Sequence, residues 1–193
     1  MEDLDVAIFE TFLNSHDMDD REWFVPDWPE LFDEWATGPM AVRGAHDCPD
    51  ATRREAGRCF QALAEAEPAT AEAVMAARDV RDGFMAMMLD GEPPGALDGM
   101  VRGLSVQLGV GVGGGVTARP AEGGPRGAAA LAMLAAHRLV VSGAWPRLRL
   151  CKNEACHWAF LDRSRNGSRV WCSMGTCGAR AKARAYRERQ RAG

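Results

Sequence analysis

Several kinds of segment are missing from this chain of 193 residues. No apolar run approaches the ~20 residues that a bilayer-spanning helix needs. The opening MEDLDVAIFE carries acids where a secretory signal carries bases, so a membrane or exported protein is not expected and the cytoplasm is. Catalytic signatures are missing too: there is no Gly-x-x-x-x-Gly-Lys-[Ser/Thr] phosphate loop, no His-Glu-x-x-His pair and no nucleophile elbow. The glycine-rich run LSVQLGVGVGGGVTARPAEGGPRG therefore reads as hairpin and loop, and an enzyme is the least favoured class.

What the chain does have is concentrated near its end. Four of its six cysteines form two pairs of equal spacing, Cys151-x4-Cys156 and Cys172-x4-Cys177, separated by 15 residues. Thiolates are soft ligands, and four of them complete a tetrahedral zinc shell. In a reducing compartment matched pairs indicate metal rather than disulfides, so one structural Zn2+ held by these four residues is expected. Cys48 and Cys59 have no close-spaced partner and read as small buried side chains. The net charge of −4 conceals a division: from Arg147 onward, 12 Lys/Arg face three acids, a balance of +9, while the preceding 146 residues carry −13. An acidic body with a basic arm suits a polyanionic partner.

Along the body, LDVAIFETFL over residues 4–13 lacks a clean helical period and is expected to be a strand. Asp27 is a possible cap for a short helix in which Trp28, Leu31, Phe32 and Trp35 fall on one side. Residues 38–49 read as loop. Residues 51–66 and 68–90 read as helices, the second starting at Pro68, with DGEPPG closing it. Leu104, Val106, Leu108, Val110 and Val112 alternate, which argues for a half-buried strand turned by Gly113–Gly115 into a second one near Val116 and Thr117. Residues 127–141 form an Ala/Leu-rich helix closed by Gly143. The fold class is therefore α+β: helices packed on a small antiparallel sheet over residues 1–146, followed by a four-cysteine module over 147–193.

That module reads as knuckle, hairpin, helix. Leu148–Cys151 is a short strand, and Asn166-Gly167 signals a turn between Trp158/Phe160 and Val170/Trp171. Metal supplies the stability that so small a unit cannot draw from apolar burial alone. After Cys177, helical phase places Arg180, Arg184, Arg187 and Arg191 on one face and Ala179, Ala183, Tyr186 and Gln190 on another, which is expected to pack on the hairpin. Lys182 and Arg189 widen the basic surface. With Glu188 as the sole acid after Arg180, pairing within the helix cannot neutralise the stripe, and DNA is the expected partner. Arg165 and Arg169 are further candidates. A zinc-stabilised module for RNA or an acidic protein is the alternative reading, with Trp158 and Trp171 available to stack.

The run CKNEACHWAFLDRSRNGSRVWCSMGTCGAR, Cys151 to Arg180, resembles the CGNR zinc finger, a bacterial module, in its cysteine spacing, DRSRNGSR turn and Trp-Cys-Ser-Met step. The resemblance implies that the four cysteines are zinc ligands and that the module binds DNA; Ala179 replaces the asparagine of the naming motif. Proteins with this finger usually carry an N-terminal ABATE domain of stress-induced transcription regulators. The body is similar to it in an early strand ending in FLNS, a Trp/Leu helix, ARDVRDGF and a glycine-containing hairpin. That likeness implies a transcription regulator whose body senses a small-molecule effector or dimerises, on the nucleoid when bound to DNA. Asn14 and Arg78 match recurrent family positions and are candidates either to face a ligand or to serve the structure. A single small finger reads few base pairs, so a homodimer is a natural assembly.

Overall fold

The structure is a computed structural model that describes residues 2–15, 28–38, 48–90 and 95–192. The helices are α1 (Glu2–Leu13), α2 (Trp28–Thr37), α3 (Asp50–Ala66), α4 (Ala71–Asp90), α5 (Gly95–Arg102), α6 (Gly124–Val141) and α7 (Ala179–Ala192). Two separate antiparallel hairpins pair β1 (Val106–Val110) with β2 (Val116–Pro120) and β3 (Leu148–Leu150) with β4 (Ala159–Leu161). The expected α+β class holds, with two small ladders where one sheet was expected. None of the described helices is long and apolar enough to cross a membrane.

Helix α1 replaces the strand expected over residues 4–13, and burial explains why. Every residue from Asp5 to Leu13 is buried, so apolar side chains are needed all round and no apolar stripe marks the period. The period survives in the polar residues: Asp3, Glu10 and Asn14 are separated by 7 and 4 positions and fall on one helical face. Phe9 anchors the centre, its ring 5.2 Å from Phe84 and 5.4 Å from Trp145. Alanines of α6, among them Ala128, Ala132 and Ala135, are fully buried and let α1 and α6 approach closely. Asp5 on α1 holds Arg138 on α6 at 2.6 Å.

Helices α2, α3, α4 and α6 lie where their periodicity places them. Phe32 and Trp35 are buried, the Trp35 ring tilted against Phe60 of α3 at 4.9 Å; Asp27 lies outside the described residues. Helix α4 starts at Ala71 rather than Pro68, because the Thr70 hydroxyl accepts a hydrogen bond from the Ala73 N–H at 3.2 Å and caps the first turn. The short helix α5 has no counterpart in the periodicity. The β1–β2 hairpin forms as expected, with Gly113 and Gly114 at its tip at φ +102° and +84°, a region open to glycine. Its strands are not half-buried, however: all five residues of β1 are exposed.

Candidate metal centre

Strand β3 delivers Cys151 and strand β4 begins just beyond Cys156, so the first cysteine pair is the loop of the β3–β4 hairpin. Its knuckle is closed by backbone bonds: the N–H groups of Cys156 and His157 donate to the Asn153 carbonyl at 2.7 and 3.1 Å, and the Cys151 N–H donates to Trp158 O at 2.9 Å. The second pair opens a π-helical turn, Met174–Gly178, that runs directly into α7. Gly178 packs so tightly that a Cβ there would lie 3.0 Å from Met174 Sδ and 3.3 Å from Trp171 Cδ1. The arginine helix is therefore the covalent continuation of the fourth ligand.

The four Sγ atoms of Cys151, Cys156, Cys172 and Cys177 lie within 4.8 Å of one another, and Cys172 Sγ is 3.7 Å from both Cys156 Sγ and Cys177 Sγ. A tetrahedron of thiolates about 2.3 Å from zinc has edges of ~3.8 Å, so the donor set and its spacing fit one zinc ion. Bound there, zinc would act as a structural clamp between knuckle and helix. Asn153 Nδ2 lies 3.5 Å from Cys177 Sγ and donates toward it, the contact that orients and steadies a thiolate ligand. Without a cation these thiols cannot ionise together. Burial pushes Cys156 up to about 11 and raises Cys172 as well, while at Cys177 burial is outweighed by Asn153 and the neighbouring thiols, which bring it down to about 7. Phe160, with Trp158 and Trp171, completes a small apolar core around the cysteines.

The segment after β4 departs from the expected hairpin. Gly167 does adopt a left-handed turn at φ +60°, but no strand follows it. Buried Asp162 takes its place as organiser, accepting from the N–H groups of Ser164 and Arg169 at 2.9 Å each. Burial alone would raise this carboxyl; the Ser164 and Arg169 hydrogen bonds with the nearby Arg147 charge hold it below the usual range. Arg169, a candidate for nucleic acid, is turned inward: its guanidinium donates to the carbonyls of Trp171 and Cys172 and lies 4.7 Å over the Phe160 ring. It pins the second knuckle. Arg165 is exposed on the turn.

In α7 the side chains of Arg180, Lys182, Arg184, Arg187 and Arg191 are all exposed, and among the described residues none forms an ion pair. The face expected to pack is corrected. Ala179, Ala183, Tyr186 and Gln190 are exposed, and Ala181 is the half-buried residue; with Ala185 it lines a groove against Asn153 and Ala155 of the first knuckle. A cavity of about 910 Å3 beside the cysteines is lined by Trp158, Arg163, Arg169, Thr176 and Arg180 among others.

Candidates in the body have different surroundings. Asn14 is 2 % exposed, and its amide pairs with both backbone groups of Ala159, accepting from the N–H at 2.7 Å and donating to the carbonyl at 3.1 Å. Glu10 Oε1 accepts from the Leu161 N–H at 2.6 Å, and Asp3 pairs with Arg163 at 2.6 Å. The alternation of an antiparallel ladder explains the arrangement. Residues 158 and 162 bond to Cys151 and Arg147 at the two ends of β3, so the backbone groups of 159 and 161 point away from it and meet the polar face of α1. Leu148, Ala159 and Leu161 belong to the main core of the body, while Phe160 faces the cysteines. Arg78 stands on α4 with its Nε 3.6 Å from Asp82. Among polar residues, Asn153, Asp162 and Glu10 were not distinguished in the sequence, and Arg169 was marked for nucleic acid rather than for its inward role; the Asp-x-Ser step at 162–164 was the one available signal.

These features define a zinc finger with four cysteine ligands. Residues 147–190 match the family model for the CGNR zinc finger. A comparison with curated proteins gives no match.

Proposed function

We propose that this protein is a DNA-binding transcription regulator, in which the zinc finger presents α7 to DNA and the acidic body acts as an ABATE-like regulatory domain. The observation that carries the reading is α7 itself: a helix fixed at its start by Cys177, with exposed bases that form no ion pair among the described residues. A helix of this width enters a major groove, and arginines along it suit phosphate and guanine contacts. The tryptophans that RNA stacking would use are packed against the small cysteine core instead, which favours duplex DNA over the RNA alternative. Four thiolates leave no open coordination position for a substrate, which supports a structural rather than catalytic metal.

The regulatory part rests on α1. The FLNS and ARDVRDGF stretches meet in space, where buried Arg81 donates to Ser15 Oγ at 3.5 Å, and the same end of α1 holds β4 through Asn14. A small-molecule effector that shifted α1 or α4 near Asn14 and Arg78 would be felt by the finger through this contact. Selection from a library of duplex DNA, with zinc and after chelation, tests the function. A recurring duplex motif recovered only with zinc supports it; enrichment of nothing, or of RNA alone when transcripts are offered in competition, rejects it.

A further inference from the structure

The β1–β2 hairpin carries an apolar face that the described residues leave largely open, covering only its Ala118 and Pro120 in part. Its register pairs Val106 with Pro120, Leu108 with Ala118 and Val110 with Val116, so these six side chains share one face and Gln107, Thr117 and Arg119 share the other. In antiparallel sheets such a face is normally turned to the core. Here Leu108 is 69 % exposed, Val110 79 % and Val116 76 %. Strand β2 rests on α6, whereas β1 has its main contacts with β2 alone. The outer edge of β1, VQLGV, has no proline or charge, the usual guards of an open edge.

We propose that this face is the contact between two copies of this chain. A twofold interface must be complementary to itself. A face of aliphatic side chains without charge meets its own copy without burying an unpaired ion, while the rest of the body, at −13 over residues 1–146, repels its copy. The spacing is self-matching as well. Two β1 strands crossing antiparallel on a twofold axis set Val106 against the partner's Val110 and Leu108 against the partner's Leu108. Val106, Leu108, Val110 and Val116 form an open patch of the few hundred Å2 that mark interaction sites, and a symmetric pair of such patches approaches the ~1,000 Å2 at which specific interfaces begin. Helix α6 supports β2, and the partner supplies the packing that the open side chains of Leu108, Val110 and Val116 lack.

The test is sedimentation equilibrium of the full zinc-loaded chain over micromolar to submillimolar concentration. The expected mass is twice the 20.9 kDa of one chain. Because Leu108 and Val110 are exposed in the single chain, the double substitution Leu108→Lys, Val110→Lys should halve that mass while leaving the circular dichroism and zinc content unchanged. The pair Gln107→Lys, Thr117→Lys, on the opposite face of the same strands, should leave the doubled mass intact. A single-chain mass for the unmodified protein, a doubled mass that survives Leu108→Lys, Val110→Lys, or equal loss in both double variants overturns the proposal.

Discussion

Asn14 holds Ala159 as a neighbouring strand would, with one acceptor and one donor on a single amide. Replacing it by alanine leaves a buried N–H and a buried carbonyl without partners, each costing roughly 1–3 kcal/mol. Asn14→Ala is therefore expected to lower unfolding stability by about 3 kcal/mol, read by urea denaturation, and Asn14→Asp should restore only the bond from the N–H. Asp162 makes a pH-dependent contribution. Its pKa is lowered in the folded chain, so its stabilisation is present above the unfolded value near 4 and is lost as pH falls through the lower folded value. With zinc in excess, the stability gap between the natural protein and Asp162→Asn should be constant above about pH 5 and shrink below about pH 4; a gap that widens in acid would contradict this. The cysteines outside the cluster should be slow to react. Burial pushes Cys48 up to about 12 and raises Cys59, and Cys48 is the more buried. Alkylation of the zinc-loaded protein should label Cys59 first, and chelation should expose the four ligand thiols, as counted by mass spectrometry.

At the scale of elements, two helices carry the account and differ in how visible they are in the sequence. Helix α7 is legible because solvent surrounds it: its arginines repeat at helical spacing without interruption. Helix α1 is hidden because it is buried on all sides, and its one regular feature, Asp3, Glu10 and Asn14 on a common face, has meaning only once β4 is in place. The same holds for the Asn166-Gly167 turn, whose residues are right for a hairpin but whose flanking N–H groups, those of Ser164 and Arg169, are taken by Asp162. In α7, Ala181 packs where periodicity alone offered Ala179 and Ala183 equally. The DNA binding proposed for α7 gives a direct expectation. Arg184→Ala with Arg187→Ala should reduce the dependence of log affinity on log salt by about 2, close to one per lost phosphate contact, with zinc content unchanged. Arg169→Ala should act differently, loosening the second knuckle and weakening zinc retention under a competing chelator, since its guanidinium holds the Trp171 and Cys172 carbonyls.

Across the whole molecule, the metal ligands were legible because tetrahedral thiolate coordination demands four cysteines and little else, and their spacing records that demand. The seat of the finger on the body was not, since it depends on pairs such as Asn14 with Ala159 and Glu10 with Leu161, 145 and 151 positions apart. That seat joins a −13 body to a +9 finger, so the basic helix is held as part of a largely acidic molecule. Repulsion between body and DNA would then enforce approach through α7. The central claim is that zinc folds a helix that binds DNA. Its most direct test is the dissociation constant of the full chain for random-sequence duplex DNA as a function of salt, measured by fluorescence anisotropy with zinc bound and after chelation. Affinity is expected to fall steeply with salt in the zinc-loaded protein and to be lost on chelation; no binding with zinc, or a salt slope that chelation leaves unchanged, would contradict zinc-dependent DNA binding.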